Sequence, residues 1–417
     1  MKRFLNKTLL SLLAVCAFSQ LRGQDTIRVM SYNLYRFPDN PPANRELILK
    51  EILDTYTPDI FMVCELISEQ GATLIKQNSL PADYGSAQFV LNQSNQEDTL
   101  QQLIFFNNKK FRLTAQQSFP TAVRDINHYR LQTLNADSTI IHAFVAHLKS
   151  SESVADRNAR AAMVDTFLKV LDTLPANSYV LMGGDFNFYN SANEGAWQKI
   201  TAATNPIIMV DPLNQPGKWH DDSTFSYLHT QATRTSATGF GLGGATGGMD
   251  DRFDFIFMSQ NFTQNGELGF VPDSYLAYGN NGNCFNKKIS DSTCTGPYSQ
   301  TLRQYLHDMS DHLPVVMQLV TQKPFVTGIV PGEKTNNTVR FAGANLVAQT
   351  ISLQASDANI WQKARIDIYD QVGVARPLQF SFYGNRAEAD AAGLPAGIYN
   401  MRVILPQGVV LFRFLKM

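Results

Sequence analysis

"SYVLMGGDFNFYNS", residues 178–191, carries an apolar run into two glycines and then alternates Asp185, Phe186, Asn187 and Phe188. On an extended chain residues i and i+2 face the same side, so Asp185 and Asn187 point together at one spot where a buried strand runs out. Gly183 and Gly184 before them predict close backbone packing or a bend as the strand leaves the core. A carboxylate beside an amide is an acceptor beside a donor. What they hold depends on what else arrives there.

Working outward, "TIRVMSYNLY" (26–35), "DIFMVCEL" (59–66), "QQLIFFN" (101–107), "IIHAFVAHLKS" (140–150), "RFDFIFMS" (252–259) and "HLPVVMQLV" (312–320) also read as strands. The second is nearly continuous in apolar residues, the pattern of a strand buried on both faces. Two helical stripes lie between them. "NRELILKEILDTY" (44–56) aligns Ile48, Leu49, Ile52, Leu53 and Tyr56. "SVADRNARAAMVDTFLKVL" (153–171) opens with a Ser153/Asp156 capping box and aligns Met163, Val164, Phe167, Leu168 and Leu171. Many strands with a few amphipathic helices imply packed sheets with helices outside.

The 417 residues allow one large domain and a smaller one. A hydrophobic fraction of 44% and a charged fraction of 17% exclude a disordered or collagenous chain. With a net charge of −1, an anionic partner has to be held by a local basic patch or a metal. Residues 1–23 read as a secretory signal peptide: Lys2, Arg3 and Lys7 precede a short apolar run, with cleavage expected near Gly23/Gln24. Cys16 raises the alternative of a lipoprotein signal, but Val15 before it is bulky for that processing. No later run is long and apolar enough to span a bilayer. Cys64 reads as a buried thiol, whereas Cys284 and Cys294 frame a polar loop and predict a local disulfide in an exported chain.

Residues 322–337 form a Pro-, Gly-, Thr- and Asn-rich linker, and 338–417 carry short alternating runs that predict a small β-sandwich.

The same theme recurs through the first 321 residues, a polar side chain where an apolar strand ends. It places Asn33, Glu65, His147, Asp185, Asn187, Asp254, Asp311 and His312. Each alone is more simply structural. Together they point to one site, since buried carboxylates and amides are costly unless bonded. Glu65 and Asp311 are hard oxygen ligands suited to Mg²⁺, or Mn²⁺ or Ca²⁺. Asp185 can take a proton from water, and histidines can donate to an oxygen gathering charge. An Asp beside a His favours its charged form. Such a set fits metal-assisted hydrolysis of a phosphate ester.

In order and spacing, "SYNLYRF", "VCELIS", "HLKSS", "GDFN", "RFDFIF" and "SDHLPV" resemble the motifs of the endonuclease/exonuclease/phosphatase superfamily over residues 25–321. The resemblance implies an α/β fold, a four-layered α-β-β-α sandwich of two mixed sheets. It also implies that Asn33, Glu65 and Asp311 serve the metal and that His147 contacts the scissile phosphate. Asp185 and Asn187 would handle the water, and His312, bonded to Asp254, would stabilise the transition state. Cys64 departs from the Gln that many relatives carry before the metal-binding Glu. The tail's "ARIDIYDQVGV" and "LPAGIYNMRVILPQGVVLFRFLKM" resemble the C-terminal sorting domain of the type IX secretion system, implying that machinery as a partner. The Asn-Pro motif that usually opens such domains is missing, and a substrate-binding β-module is the alternative.

For the substrate, Lys149, Arg157 and Arg160 following His147 suggest contacts to backbone phosphates, or else a solvated helix start. The reading favoured is an extracellular endonuclease acting on DNA or RNA. A sphingomyelinase-like or inositol-phosphate phosphoesterase is the alternative, and a non-enzymatic surface binding protein is a second one.

Overall fold

A computed structural model of the chain describes residues 25–241, 243–325, 339–342, 345–370, 374–405 and 408–417. The expected signal peptide and most of the expected linker lie outside these residues. Two compact units divide after Phe325.

The first unit runs β1 (Thr26–Phe37), α1 (Arg45–Tyr56), β2 (Ile60–Leu66), α2 (Glu69–Leu74), β3 (Tyr84–Ser86), β4 (Gln101–Asn107), β5 (Phe111–Phe119) and β6 (Ile126–Thr133). It continues with β7 (Ile140–His147), α3 (Val154–Leu171), β8 (Tyr179–Asp185), α4 (Gly195–Ile200), β9 (Met209–Val210) and β10 (Asp254–Ser259). Last come β11 (Leu268–Phe270), β12 (Leu276–Ala277), α5 (Gln300–Met309) and β13 (Val315–Thr321). One sheet has the order β11-β13-β1-β2-β4-β3, with β12 also on β13; the other has the order β5-β6-β7-β8-β10-β9.

Each sheet is centred on a parallel pair joined by a helix. α1 joins β1 to β2, and α3 joins β7 to β8. Antiparallel strands flank both pairs, so both sheets are mixed. A parallel pair brings two strand ends of the same polarity to one edge, and here both pairs deliver them to the same site. The layers follow from which residues each face buries. Val29, Met62, Ala143, Val145, Leu181 and Ile256 share one core, to which α1 adds Leu49, Ile52 and Leu53 and α5 adds Leu306 and Met309. The other face of the second sheet buries Phe144, Val180, Met182, Phe255 and Phe257 under Met163, Val164 and Phe167 of α3 and Trp197 of α4. The order is helices, sheet, sheet, helices, the expected four layers.

The helix signals act locally as read. The Ser153 hydroxyl caps the Asp156 N–H, and the Asp156 carboxylate returns the bond to the Ser153 N–H. β5, β6 and α5 carried no clear signal. β5 is a half-exposed edge strand of Arg, Thr and Gln, and α5 opens with the polar Gln300 and Thr301 after a loop rich in Asn, Gly and Ser. The linker too begins later than expected. Phe325 is buried, its ring 5.8 Å from that of Phe111, so the packed unit extends four residues past 321.

The second unit contains β14 (Val339–Phe341), β15 (Leu346–Val347), β16 (Thr350–Ala355), β17 (Arg365–Asp370), β18 (Ser381–Tyr383), β19 (Arg386–Asp390), β20 (Gly397–Leu405) and β21 (Gly408–Lys416). They form two four-stranded sheets, β14-β16-β19-β18 and β15-β21-β20-β17, which share a core of Ile351, Leu353, Ala387, Met401, Val403 and Phe414. The tail is a small all-β unit, as its alternation predicts.

Cys284 and Cys294 are disulfide-bonded at a separation of 10 residues, and Cys64 is buried and free. The bridge closes the segment whose backbone pairs Met249 with Lys287 and Ile289 with Thr233. Closing so short a loop removes unfolded-state entropy worth about 2–3 kcal/mol. Urea unfolding of Cys284→Ser/Cys294→Ser should show a loss of about that size, and a midpoint equal to that of the wild type would contradict it.

Candidate active site

The strand ends meet in register. Asp185, the last residue of β8, lies between His147 on β7 and Asp254 on β10. A Cβ on Gly184 would lie 1.8 Å from the Ala146 carbonyl oxygen, so a glycine is required for β7 and β8 to close just before that row. β8 ends at Asp185, and Asn187 takes a left-handed φ of 53° beyond it. The alternation still has its consequence, because Phe186 and Phe188 both enter the helix-side core and leave Asp185 and Asn187 to the other side. The Asn187 N–H donates to Asp185 Oδ1 (3.1 Å) and its side-chain amide reaches the Leu148 carbonyl (3.4 Å).

The first sheet adds Asn33 and Glu65. The β1–β2 register breaks between Asn33 and Phe37, and Glu65 adopts a left-handed φ of 58°, an uncommon conformation for a residue with a side chain. That break turns Glu65 into the site. Arg45, buried in α1, donates to the Tyr35 carbonyl (3.0 Å) and through Nε to the Met309 carbonyl (3.0 Å), tying the end of β1 to the end of α5. The next residue, Ser310, donates from Oγ to the Asn33 carbonyl (2.7 Å), which sets Asp311 and His312 beside Asn33.

Asn33 is the hub. Its Nδ2 donates to Glu65 Oε1 (3.0 Å) and Asp185 Oδ2 (3.1 Å) and stands 3.3 Å from His312 Nε2. Its Oδ1 accepts from the Tyr35 N–H (3.0 Å), and the Arg36 N–H donates to Glu65 Oε2 (3.1 Å). His312 Nδ1 donates to Asp254 Oδ2 over 2.7 Å. Burial alone would lower the His312 pKa, but Asp254, then Asp185 and Asp311, overcome it and hold the ring charged well above its ordinary value. The Gln231 carboxamide nitrogen lies 2.5 Å from His312 Nε2, so this side chain closes over the ring edge opposite Asp254.

Asp185 is pushed up to about 7 by burial, with Asp254 and Glu65 adding to the rise and His312 opposing it. Glu65 is raised by burial and then by Asp311, against the Asn33 hydrogen bond. His147 goes the other way, its pKa lowered by burial, Arg124 and His312. Its Nε2 lies 3.5 Å from Asp185 Oδ2, so this is a neutral imidazole near a carboxylate and not an ion pair.

The donor set fits a hard cation. Glu65, His147 and Asp185 offer atoms within 4.8 Å of one another, as do Asp185, Asp254 and His312. The second trio is occupied by its own Asp–His hydrogen bond, and in the first Glu65 is the carboxylate with no ion pair to the His312 ring. Asp311 is in neither trio, yet its Oδ1 is buried with no hydrogen-bond partner among the described residues, while Oδ2 accepts from the Ala245 N–H (2.7 Å). Four buried or half-buried carboxylates facing one imidazolium leave negative charge that a divalent ion would balance.

The basic residues expected to hold backbone phosphates are otherwise engaged. Arg160 is fully buried, paired with Glu194 at 2.7 Å and donating to the Lys149 and Ser151 carbonyls, so it braces the loop after His147 and has no donor to offer a substrate. Lys149 pairs with Asp156 (3.0 Å), and Arg157 donates to the Glu152 carbonyl. Two contributors were missed from sequence. Arg124 donates to the His147 and Leu148 carbonyls (3.2 and 3.1 Å) and Gln231 faces His312. Both lie outside strand ends, and nothing in their local pattern singles them out.

No protein-family model matches the chain, and no curated protein sequence does. Among solved structures, D. rerio TDP2 complexed with single strand DNA product is 17% identical, with 70% of this chain and 98% of that one covered and a TM-score of 0.48. The human Nocturnin catalytic domain with bound sulfate is 16% identical, with 71% and 97% covered and a TM-score of 0.46. An endonuclease/exonuclease/phosphatase family protein from Bacteroides thetaiotaomicron is 14% identical, with 72% and 96% covered and a TM-score of 0.43.

The Asp254–His312 bond makes a direct prediction. In the metal-free protein His312 should remain an imidazolium through neutral pH. In Asp254→Asn the largest favourable charge is gone and burial dominates, so the titration should move down towards or below the ordinary histidine range. ¹⁵N-histidine NMR across pH 5–9 reads this, and an unshifted His312 titration in Asp254→Asn would refute the pairing.

Proposed function

We infer that the chain is an exported, divalent-metal-dependent phosphoesterase that hydrolyses phosphodiester bonds, with DNA or RNA as the substrate to test first. The observation that carries this reading is Asn33 bonded at once to Glu65 and Asp185 and touching an imidazolium held by Asp254. A base poised near neutrality beside a fixed cationic donor suits attack of water on an anionic ester. The six sequence motifs support the same reading.

Asp185 accepts the proton of the attacking water; in the metal-free protein burial raises its carboxyl to about 7. Asn187, held by its own N–H to Asp185, orients that water or a phosphate oxygen. His312 donates from Nε2 to a non-bridging oxygen as charge accumulates, and Asp254 keeps the ring charged and aligned. Neutral His147 contributes a second, uncharged donor to the phosphate. Glu65, with Asn33 and Asp311 beside it, would hold Mg²⁺, or Mn²⁺ or Ca²⁺. When bound, such an ion supplies charge neutralisation and polarisation of the phosphoryl group.

The disulfide and the signal-peptide pattern of residues 1–23 support export, and the tail is read as a type IX sorting module recognised by that secretion machinery. A chain ending at Phe325 should therefore hydrolyse substrate as the full chain does.

Turnover of plasmid DNA, RNA, sphingomyelin and inositol phosphates with Mg²⁺, then with excess chelator, separates the substrate classes and the metal requirement. Asp185→Asn should lower turnover by about 10²–10⁴. His312→Ala should lower it by about 10²–10³. The two losses should combine less than additively, because both act on one transition state. Melting temperature serves as the folding control. Near-normal turnover of folded Asp185→Asn, or full activity in chelator, would refute this reading.

A further inference from the structure

Residues 239–248, "GFGLGGATGG", hold six glycines in ten positions, and Ala245 within them meets the Asp311 carboxylate. The run is anchored at its start by a stack. The Arg234 guanidinium lies 3.7 Å from the Phe240 ring centroid and 4.7 Å from that of Tyr35. Arg234 is buried, makes no ion pair among the described residues, and donates through Nε to the His307 carbonyl (3.0 Å). Phe240 in turn meets the His307 ring edge-on at 5.1 Å. Further along, a Cβ on Gly244 would lie 2.5 Å from a Tyr35 ring carbon, so the backbone rests directly on that ring. The next residue, Ala245, donates its N–H to Asp311 Oδ2.

Tyr35 also works on its other side. Its N–H holds Asn33 Oδ1, and the N–H of Arg36 holds Glu65 Oε2. Tyr35 therefore links both halves of the acidic site, the Asn33–Glu65 half through its backbone and that of Arg36, and the Asp311 half through its ring under Gly244. We propose that Arg234, Phe240 and Gly244 act as a positioning clamp that packs Ala245 against Tyr35 and so fixes Asp311 relative to Glu65 for cation binding. None of the three touches the ion; they act through Asp311. The clamp rests on the reading that a divalent cation binds at Glu65, and its test separates the two.

Mn²⁺ binding to the full mature chain, without substrate, is measured by electron paramagnetic resonance titration for the wild type, Phe240→Ala, Gly244→Ala and Phe240→Trp. Partners that orient ligands are worth about 10–100-fold in affinity. Phe240→Ala and Gly244→Ala should weaken Mn²⁺ by that order while the metal-free melting temperature of Phe240→Ala changes little, since its ring is half-buried. Phe240→Trp, which restores an aromatic face to Arg234, should return affinity towards wild type. Should Gly244→Ala fold poorly, the Phe240 pair carries the test. Unchanged Mn²⁺ affinity in Phe240→Ala would overturn the clamp and leave the cation site standing. A wild type that binds no Mn²⁺ would overturn both.

Discussion

Negative charge without enough positive charge to match it is the condition under which this site exists. Glu65, Asp185, Asp254 and Asp311 are gathered at one end of two sheets, three of them nearly out of reach of water. Desolvation of that kind costs several kcal/mol per ion unless something pairs with it. Asp254 is answered by the His312 imidazolium and Asp185 in part by the same ring, 3.6 Å away. Glu65 and Asp311 receive amides, from Asn33, Arg36 and Ala245, but no ion pair with a cationic side chain among the described residues. Burial first, and then the neighbouring carboxylates, raise the Glu65 and Asp185 pKa values, and the unmatched charge is the physical argument for a bound divalent ion.

The fold sustains the imbalance because the charged ends sit on strands that are fixed well below them. Both parallel pairs direct their C-terminal ends to the same edge, so the site needs no long loops to bring His147, Asp185, Asn33 and Glu65 together. The loops that do contribute are bonded to those strands. Ser310 holds Asp311 and His312 to Asn33, and Thr230 Oγ accepts from the N–H groups of Phe253 and Asp254 (both 3.2 Å), holding Gln231 close to His312. Rigid placement of donors and acceptors is what electrostatic catalysis requires, since a group that must move to meet developing charge loses part of its effect.

Much of this was legible in the sequence because strand ends are local events. A carboxylate or imidazole that interrupts an apolar run is visible one residue at a time, and Asn33, Glu65, His147, Asp185, Asp254 and His312 were all marked in that way. Edge strand β5 was not, since its polar alternation matches a loop as well as a half-exposed strand. Gln231 and Ala245 enter through hydrogen bonds whose partners lie 81 and 66 residues away. Arg160 shows the opposite failure. A basic residue at the start of a helix after a catalytic strand looks like a phosphate contact, but helical periodicity puts it on the same stripe as Met163, Val164 and Phe167, and that stripe is buried. Its partner Glu194 is 34 residues on, beyond any local window.

The fate of Arg160, Lys149 and Arg157 also bears on how a substrate is held. With a net charge of −1 and these three cations engaged within the protein, a polyanion meets no free basic rim from this part of the chain. At the site itself His312 carries a positive charge, and a divalent ion would add two. The placement of Arg160 inside the core has two consequences: it braces the loop carrying His147 through the Lys149 and Ser151 carbonyls, and it removes a guanidinium from the surface beside the site.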